Sequence, residues 1–365
     1  MLVRKFGGTS MGSTESISTV VEIVRAQSGE QVIVVSAMSG VTDELLDATK
    51  AALAGRRPTV KKVLAEMLAR HIETAEKNIP NEKVLTDAIA YFERTIAGLS
   101  GFLEAIQELG ELSLRSKNTI MAVGERLSSR LLAGILTSSG SPAEQLDLEK
   151  AIPPKFKIAD HSFYIATEKI FAKKVRAILA KKKTPVATGY FGWVPGGMLD
   201  AVGRGYSDYC AALIAAGARA KLLEIWTDVS GIFTADPRKI KKAKIIAEIS
   251  SEAAAELAHF GAKVIHPQSI HPAIRAKVPV RIKNTFRPED HGTEILPEIK
   301  NPSQIMTSIT SKKGVTVVNI ASFRMLMQYG FLAKIFNVFA KYEIPIDVVS
   351  TSEVSVSVTI EDDSN

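Results

Sequence analysis

Near its N-terminus the chain runs strand, small-residue loop and helix twice over, and this repetition narrows its fold more than any other feature. Residues 2–6 read as a short strand, Gly7-Gly8-Thr9-Ser10 follows, and residues 15–26 carry a helical run. Residues 31–36 (QVIVVS) are a mostly apolar strand, the kind that is covered on both faces in a parallel sheet. A second small-residue loop, 37–40, leads into another helix near Thr42. Parallel strands need crossover connections and helices supply them. The expected fold class is therefore α/β, a mainly parallel sheet sandwiched by helices.

Further along, residues 58–115 change character. Val60, Val63, Leu64, Met67 and Leu68 recur at helical spacing, as do Ala88, Ile89, Phe92, Ile96 and Leu99. This reads as a helical insert, about 55–117, on one side of the sheet. Helix continues over 118–136. Strands return at 185–188, 222–226 and 278–283, while 288–302 mixes Pro, Asp, Gly and Asn with little periodicity, as a linker does. From residue 308 the pattern is β-α-β-β, with strands at 315–320, 346–350 and 354–360 and an amphipathic helix over 330–342. The expected division is a domain over 1–287, a linker over 288–307 and a smaller α+β domain over 308–365.

Composition excludes several classes. Hydrophobic residues are 46% and charged residues 23%, enough apolar surface for a large core. The net charge of +7 is small for 365 residues and its signs are interspersed, so nucleic acid is not an expected partner; a modest positive field also suits an anionic small substrate. The single cysteine, Cys210, excludes an internal disulfide and a cysteine-based zinc site. No apolar run reaches 18 residues and no signal-like N-terminus is present, so the expectation is a cytoplasmic protein with no membrane partner. His259, His266 and His271 fit no zinc spacing, and no metal ligand set is expected.

The chemistry concentrates in loops after strands, where open parallel sheets bind ligands. Gly7-Gly8-Thr9-Ser10 matches neither the Walker spacing nor Gly-x-Gly-x-x-Gly. Small side chains let backbone N–H groups approach an anion, and Lys5 just before the loop aims an ammonium at whatever it holds. Taken alone, the loop is equally a tight turn beside a solvated lysine. Val202-Gly203-Arg204-Gly205-Tyr206-Ser207-Asp208 sets an arginine between two glycines. Packing does not explain it, whereas a bidentate clamp on a carboxylate does; Ser207 and Asp208 also suit a helix cap. Glu125, flanked by Val123 and Leu127, reads either as half buried or, the favoured reading of its residues alone, as an exposed helix residue paired with Arg126 or Ser129. Asp228, ending a strand, and Asp236-Pro237-Arg238 are candidates for ribose or metal contacts, or for turns.

In combination these motifs resemble the aspartokinases of the amino-acid-kinase superfamily. The resemblance runs through Lys5-Phe6-Gly7-Gly8-Thr9-Ser10, Val35-Ser36-Ala37-Met38-Ser39-Gly40-Val41-Thr42, Gly124-Glu125-Arg126-Leu127-Ser128, the 202–208 stretch, the segment from Trp226 to Arg238, and Phe260-Gly261-Ala262-Lys263. It implies the amino-acid-kinase fold and ATP-dependent phosphorylation of the L-aspartate β-carboxylate, the first step toward lysine, threonine and methionine. Such a nucleophile is ionised at pH 7, so no general base is needed. Lys5 and Lys263 would sit on the phosphates, with Asp208 holding Lys5. Gly7, Gly8 and Ser36 would surround the phosphates and the reacting carboxylate. Arg204 would clamp the α-carboxylate and Glu125 accept the ammonium, with Thr42 and Ser207 nearby. Thr227, Asp228, Phe233 and Arg238 would contact nucleotide; position 233 is Tyr in many relatives. Mg2+ would ride on the ATP phosphates and a few waters.

The C-terminal part resembles an ACT-type regulatory module that ends after its third strand, so a partial ACT domain is expected. Met325, Gln328, Gly330, Phe331, Leu332, Ile346, Asp347, Ser352 and Glu353 would form an effector site for lysine, or else threonine. An incomplete sheet would leave an unpaired edge near residues 354–360. Pairing of ACT parts implies a homodimer or higher homo-oligomer. The competing readings are an amino-acid sensor with weak or no kinase activity, and an acyl-phosphate-forming kinase for glutamate or N-acetylglutamate. Arg204 with Glu125 favours a free amino acid. Replacing Lys5 with Ala is expected to remove turnover with little loss of fold, measured as ADP release beside far-UV circular dichroism; near-normal turnover would sink the role.

Overall fold

A strand with apolar side chains on both faces must be covered on both, and this requirement organises the larger unit. The computed structural model describes residues 1–151, 161–192, 205–259, 264–299, 308–326 and 328–361. Arg204 and Lys263 lie outside the described residues. The chain divides into two units, Met1–Ile309 and Thr310–Asn365.

In the first unit β1 (Leu2–Phe6) and β2 (Gln31–Val35) pair in parallel, and all five residues of β2 are buried. With β3 (Ala143–Leu146), β4 (Thr184–Thr188), β5 (Leu222–Thr227), β6 (Glu248–Ser250), β7 (Val280–Asn284) and β8 (Thr293–Leu296) they form one sheet, ordered β3-β4-β2-β1-β5-β7-β8-β6. The strands from β3 to β7 in that order are parallel; β8 runs antiparallel to β7 and takes β6 with it. The mainly parallel sheet is as expected. β8 falls in the stretch read as linker, because Thr293 and Ile295 alternate over too few residues to reveal a strand.

Side chains alternate across the strands. Phe6, Ile33 and Val35 join a core with α1 (Thr14–Arg25), α2 (Val41–Leu53), α3 (Arg57–Asn78), α4 (Glu82–Leu109) and α5 (Leu114–Ser138). Val3, Val32 and Val34 join another core with α6 (His161–Leu179), α7 (Tyr206–Ala218), α8 (Ser251–His259) and α9 (Pro267–Arg275). The helical insert is α3 and α4. The helix expected from residue 118 begins at Leu114, because the Ser113 side chain caps the Ser116 amide. By the same alternation Arg4 faces α1, where it bonds the Ile23 carbonyl at 2.7 Å and Glu224 at 2.9 Å. Lys5 faces α7.

In the second unit β9 (Val315–Ala321), α10 (Phe331–Lys341), β10 (Val349–Thr351) and β11 (Ser355–Glu361) follow in order. The three strands make an antiparallel sheet ordered β10-β11-β9. This corrects the expected edge near 354–360: β11 is the central strand, paired on both sides, and the edges are β9 and β10.

Glycine 217 fixes how closely α6 and α7 cross. A β-carbon there would lie 2.2 Å from the Glu168 carbonyl oxygen, which is backbone and cannot swing away. Gly217→Ala is expected to lower unfolding free energy by about 1–3 kcal/mol through overpacking, measured by urea denaturation; an unchanged midpoint would show that the helices slide apart freely.

Candidate active site

Parallel register brings the candidate loops to one edge of the sheet. Phe6 is level with Val35 and with Trp226, and Val35 with Thr188, so the chain leaves β1, β2, β4 and β5 side by side. Three backbone bonds lock the exits: Gly7 N–H to the Trp226 carbonyl (3.0 Å), Ser36 N–H to that of Phe6 (3.0 Å) and Gly189 N–H to that of Val35 (2.8 Å).

On β1, the central strand of this arrangement, the Lys5 ammonium meets the Asp208 carboxylate at 2.6 Å, both side chains nearly sealed from water. Asp208 lies in the first turn of α7, whose N-cap Gly205 takes φ 107°, a left-handed value that glycine adopts without strain. Beside it the Ser36 and Ser207 hydroxyls lie 2.7 Å apart. Their approach depends on Gly189. A β-carbon there would sit 2.5 Å from Ser207 Cβ and 2.6 Å from the Val35 carbonyl oxygen. The sequence reading missed Gly189; its only signal was a glycine directly after an apolar strand. The burial of the Lys5–Asp208 pair also amends an expectation. Removing Lys5 alone strands a buried carboxylate, at a cost of about 3–5 kcal/mol, so lost turnover in that variant comes with lost stability.

Glu125 is buried, not exposed as its residues alone suggested. The reason is Gly124, whose missing side chain lets α5 press against the second loop: a β-carbon there would lie 2.7 Å from Ala37 Cβ and 3.1 Å from Val41 Cγ1. Burial drives the Glu125 carboxyl up to about 7, while its own and the Ala37 backbone amides and the Lys5 charge pull it down. Tyr190 donates from its hydroxyl to Asn118 Oδ1 and packs edge-on against Tyr206 at 5.4 Å.

Gly7 and Gly8 form the first loop: β-carbons there would lie 3.7 Å from Lys5 Nζ and 3.4 Å from the Ala37 carbonyl oxygen. Thr42 is exposed in the first turn of α2. Thr227 ends β5 and its hydroxyl donates to Asp228 at 3.1 Å; Phe233 is half-buried downstream. Arg238 is exposed and folds back on Asp236 at 3.1 Å. The structure thus pairs Lys5 with Asp208 and Ser36 with Ser207, sets Gly7 and Glu125 near Lys5 and Gly8 against the second loop, and spreads Thr227 to Arg238 along the neighbouring loop. Among the described residues no group of three or more His, Cys, Asp and Glu can hold a metal ion.

In the second unit, Ser322 N–H bonds the Val354 carbonyl (2.8 Å); Met325 ends a short 3-10 turn, Gln328 and Gly330 precede α10, Phe331 and Leu332 open it, and Ser352 and Glu353 lie between β10 and β11. Ile346 and Asp347 lie at the other end of β10. Asp347 N–H bonds the Thr359 carbonyl, and its carboxylate faces Lys312 at 3.7 Å.

The raised Glu125 carboxyl makes the stability of the fold depend on pH. A carboxyl raised above its ordinary 4.5 keeps its proton in the folded chain, so its stabilising effect is whole below about pH 4.5 and is lost as pH rises through about 7. Relative to Glu125→Gln, the parent chain should lose roughly 2–4 kcal/mol of unfolding free energy over that window. Parallel pH profiles from chemical denaturation would refute this.

Residues 1–284 match the amino acid kinase family and residues 318–364 match an ACT domain. The Schizosaccharomyces pombe aspartokinase is 36% identical to the chain, covering 100% of it and 76% of the relative. The crystal structure of E. coli aspartokinase III in complex with lysine and aspartate (T-state) superposes with a TM-score of 0.74 at 27% identity, covering 99% of this chain and 79% of that one. The same enzyme with aspartate and ADP (R-state) gives 0.74 at 29% identity, over 99% and 78%.

Proposed function

The chain belongs to the aspartokinases of the amino acid kinase family, and from that premise we propose that it transfers the γ-phosphoryl group of ATP to the β-carboxylate of L-aspartate, releasing 4-phospho-L-aspartate and ADP. The observation that carries this reading is the dry Lys5–Asp208 pair at the end of the central strand, between two small-residue loops. A carboxylate oxygen attacks the γ-phosphorus and the bond to the β,γ-bridging oxygen breaks. No proton has to move, so the protein's work is positioning and neutralisation of charge.

Lys5 supplies a fixed positive charge to the transferring phosphoryl group, held in direction by Asp208. Gly7 and Gly8 leave room for phosphate oxygens near that ammonium. Ser36 and Ser207 offer hydroxyls beside it, and Thr42 opens the helix that follows. Glu125, half-ionised near neutrality when alone, ionises fully against the substrate ammonium. Arg204 clamps the α-carboxylate, Lys263 adds charge at the phosphates, and Thr227, Asp228, Phe233 and Arg238 hold the nucleotide. Phe233 offers a ring without a hydroxyl, hence packing only. The donor set suits a nucleotide that brings its own Mg2+: lysine and small loops meet phosphate, and the ion is held by phosphate oxygens and waters.

The product feeds lysine, threonine and methionine synthesis in the cytoplasm, and lysine acts as feedback effector on the second unit through Met325, Gln328, Gly330, Phe331, Leu332, Ile346, Asp347, Ser352 and Glu353. Homodimers or higher homo-oligomers form through these units. The lysine and aspartate bound by E. coli aspartokinase III support this reading, and its ADP complex supports nucleotide use.

With Mg-ATP, L-aspartate should drive ADP release that lysine suppresses more than threonine does. N-acetyl-L-aspartate, which leaves Glu125 without a cationic partner, should be used at least about 30-fold less efficiently in kcat/KM. Equal use of both substrates would remove Glu125 from the ammonium site, and no aspartate-dependent release from folded protein would overturn the function.

A further inference from the structure

The second loop, residues 36–40, is gripped at its start by the site itself: Ser36 by Ser207, and Ala37 by the close approach of Gly124. Its far end is gripped by a residue from the helical insert. Arg70, on α3, donates from Nη2 to both carboxylate oxygens of Glu44, at 2.9 and 2.8 Å, and from Nη1 to the Ser39 carbonyl at 3.3 Å. Glu44 lies in the first turn of α2, and Ser39 and Gly40 end the loop. One planar guanidinium therefore spans the joint between loop and helix, with Nη2 shared between the two Glu44 oxygens on one side and Nη1 on the Ser39 carbonyl on the other.

Among the described residues no other side-chain hydrogen bond is seen across that joint. The α2 N-cap is Gly40, at φ 83° and with no side chain to cap the first turn. A β-carbon at Gly40 would lie 3.9 Å from Arg70 Nη1, so the guanidinium rests against the cap itself. Both partners are about one-third exposed, at 34% and 33%. An ion pair that wet adds little stability. Its two terminal nitrogens, held by different partners, set direction, and what they direct is the segment from Ser36 to Thr42.

We propose that Arg70, acting through Glu44 and Ser39, is a positioning residue for aspartate phosphorylation: it holds the end of the second loop so that Ser36 and Thr42 meet aspartate in register. The inference rests on the function proposed above. It gives the helical insert a part in the chemistry, since α3 carries no residue of the site. Arg70 touches neither substrate; it acts on aspartate binding through the loop, and the nucleotide segment on the far side of β1 is left alone.

The test is steady-state ADP release by the full chain, with aspartate varied at saturating Mg-ATP and then the reverse. Arg70→Ala should raise KM for aspartate about 10-fold, with kcat and KM for ATP within about 2-fold and little change in melting temperature. Arg70→Lys, which keeps the charge but loses the fork, should fall between. Glu44→Gln should resemble Arg70→Ala, and the double variant should be no worse than either single one, because both remove the same constraint. Unchanged KM for aspartate across the series overturns the inference, as do effects that multiply in the double variant. If Arg70→Ala does not fold, Arg70→Lys and Glu44→Gln decide the matter on the same readouts. An unsubstituted chain without aspartate-dependent release overturns the proposed function and this inference together. Retained turnover with a flat KM series overturns the inference alone.

Discussion

A single ammonium held out of water at the end of the central strand is the constraint to which the surrounding structure answers. Desolvating Lys5 is unfavourable unless an anion meets it, and Asp208 does so at 2.6 Å. That meeting fixes the first turn of α7 against β1, and with it Ser207 against Ser36. The approach requires bare backbone at Gly189, directly after β4. The pair thus acts less as a source of stability than as a specification: few arrangements of sheet and helix satisfy it.

The same economy of side chains governs the loops. Gly124 brings α5 onto Ala37, which buries Glu125 and raises its carboxyl to about 7. Lys5 and Glu125 are opposite in charge and both largely dry, and the ammonium pulls the carboxyl back toward ionisation. The Lys5 charge therefore acts on Glu125 across a site walled by small residues. In the helical layer, His71 shows what burial without such a partner does. Its Nδ1 bonds the Met67 carbonyl, its ring stands edge-on to Phe92, and its pKa falls to about 4, so it stays neutral in an apolar setting.

Much of this was legible in the sequence because it is local. The apolar run of β2 announces a sheet covered on both faces, and the small-residue exits from β1 and β2 announce loops that admit an anion. What was illegible depends on partners distant in the chain. Glu125 looked exposed because Gly124 meets Ala37 and Val41 only in the folded chain. Gly189 and Arg70 carried no motif. β8 hid in a polar stretch because its strand is short, and β11 looked like an edge because pairing order cannot be read from strand order.

The position of β1 has a consequence for the nascent chain. Its first neighbour, β2, emerges soon after it, but its other neighbour is β5, whose Leu222 pairs with Leu2. While the ribosome makes everything between, one side of the innermost strand has no permanent partner, and the lysine at its end has no counter-charge until Asp208 appears. Early collapse can form the helical layer over one face of the sheet, yet the centre closes only late. The interval exposes an apolar strand edge to other chains, so the burden on chaperones falls early in synthesis and is relieved when β5 docks.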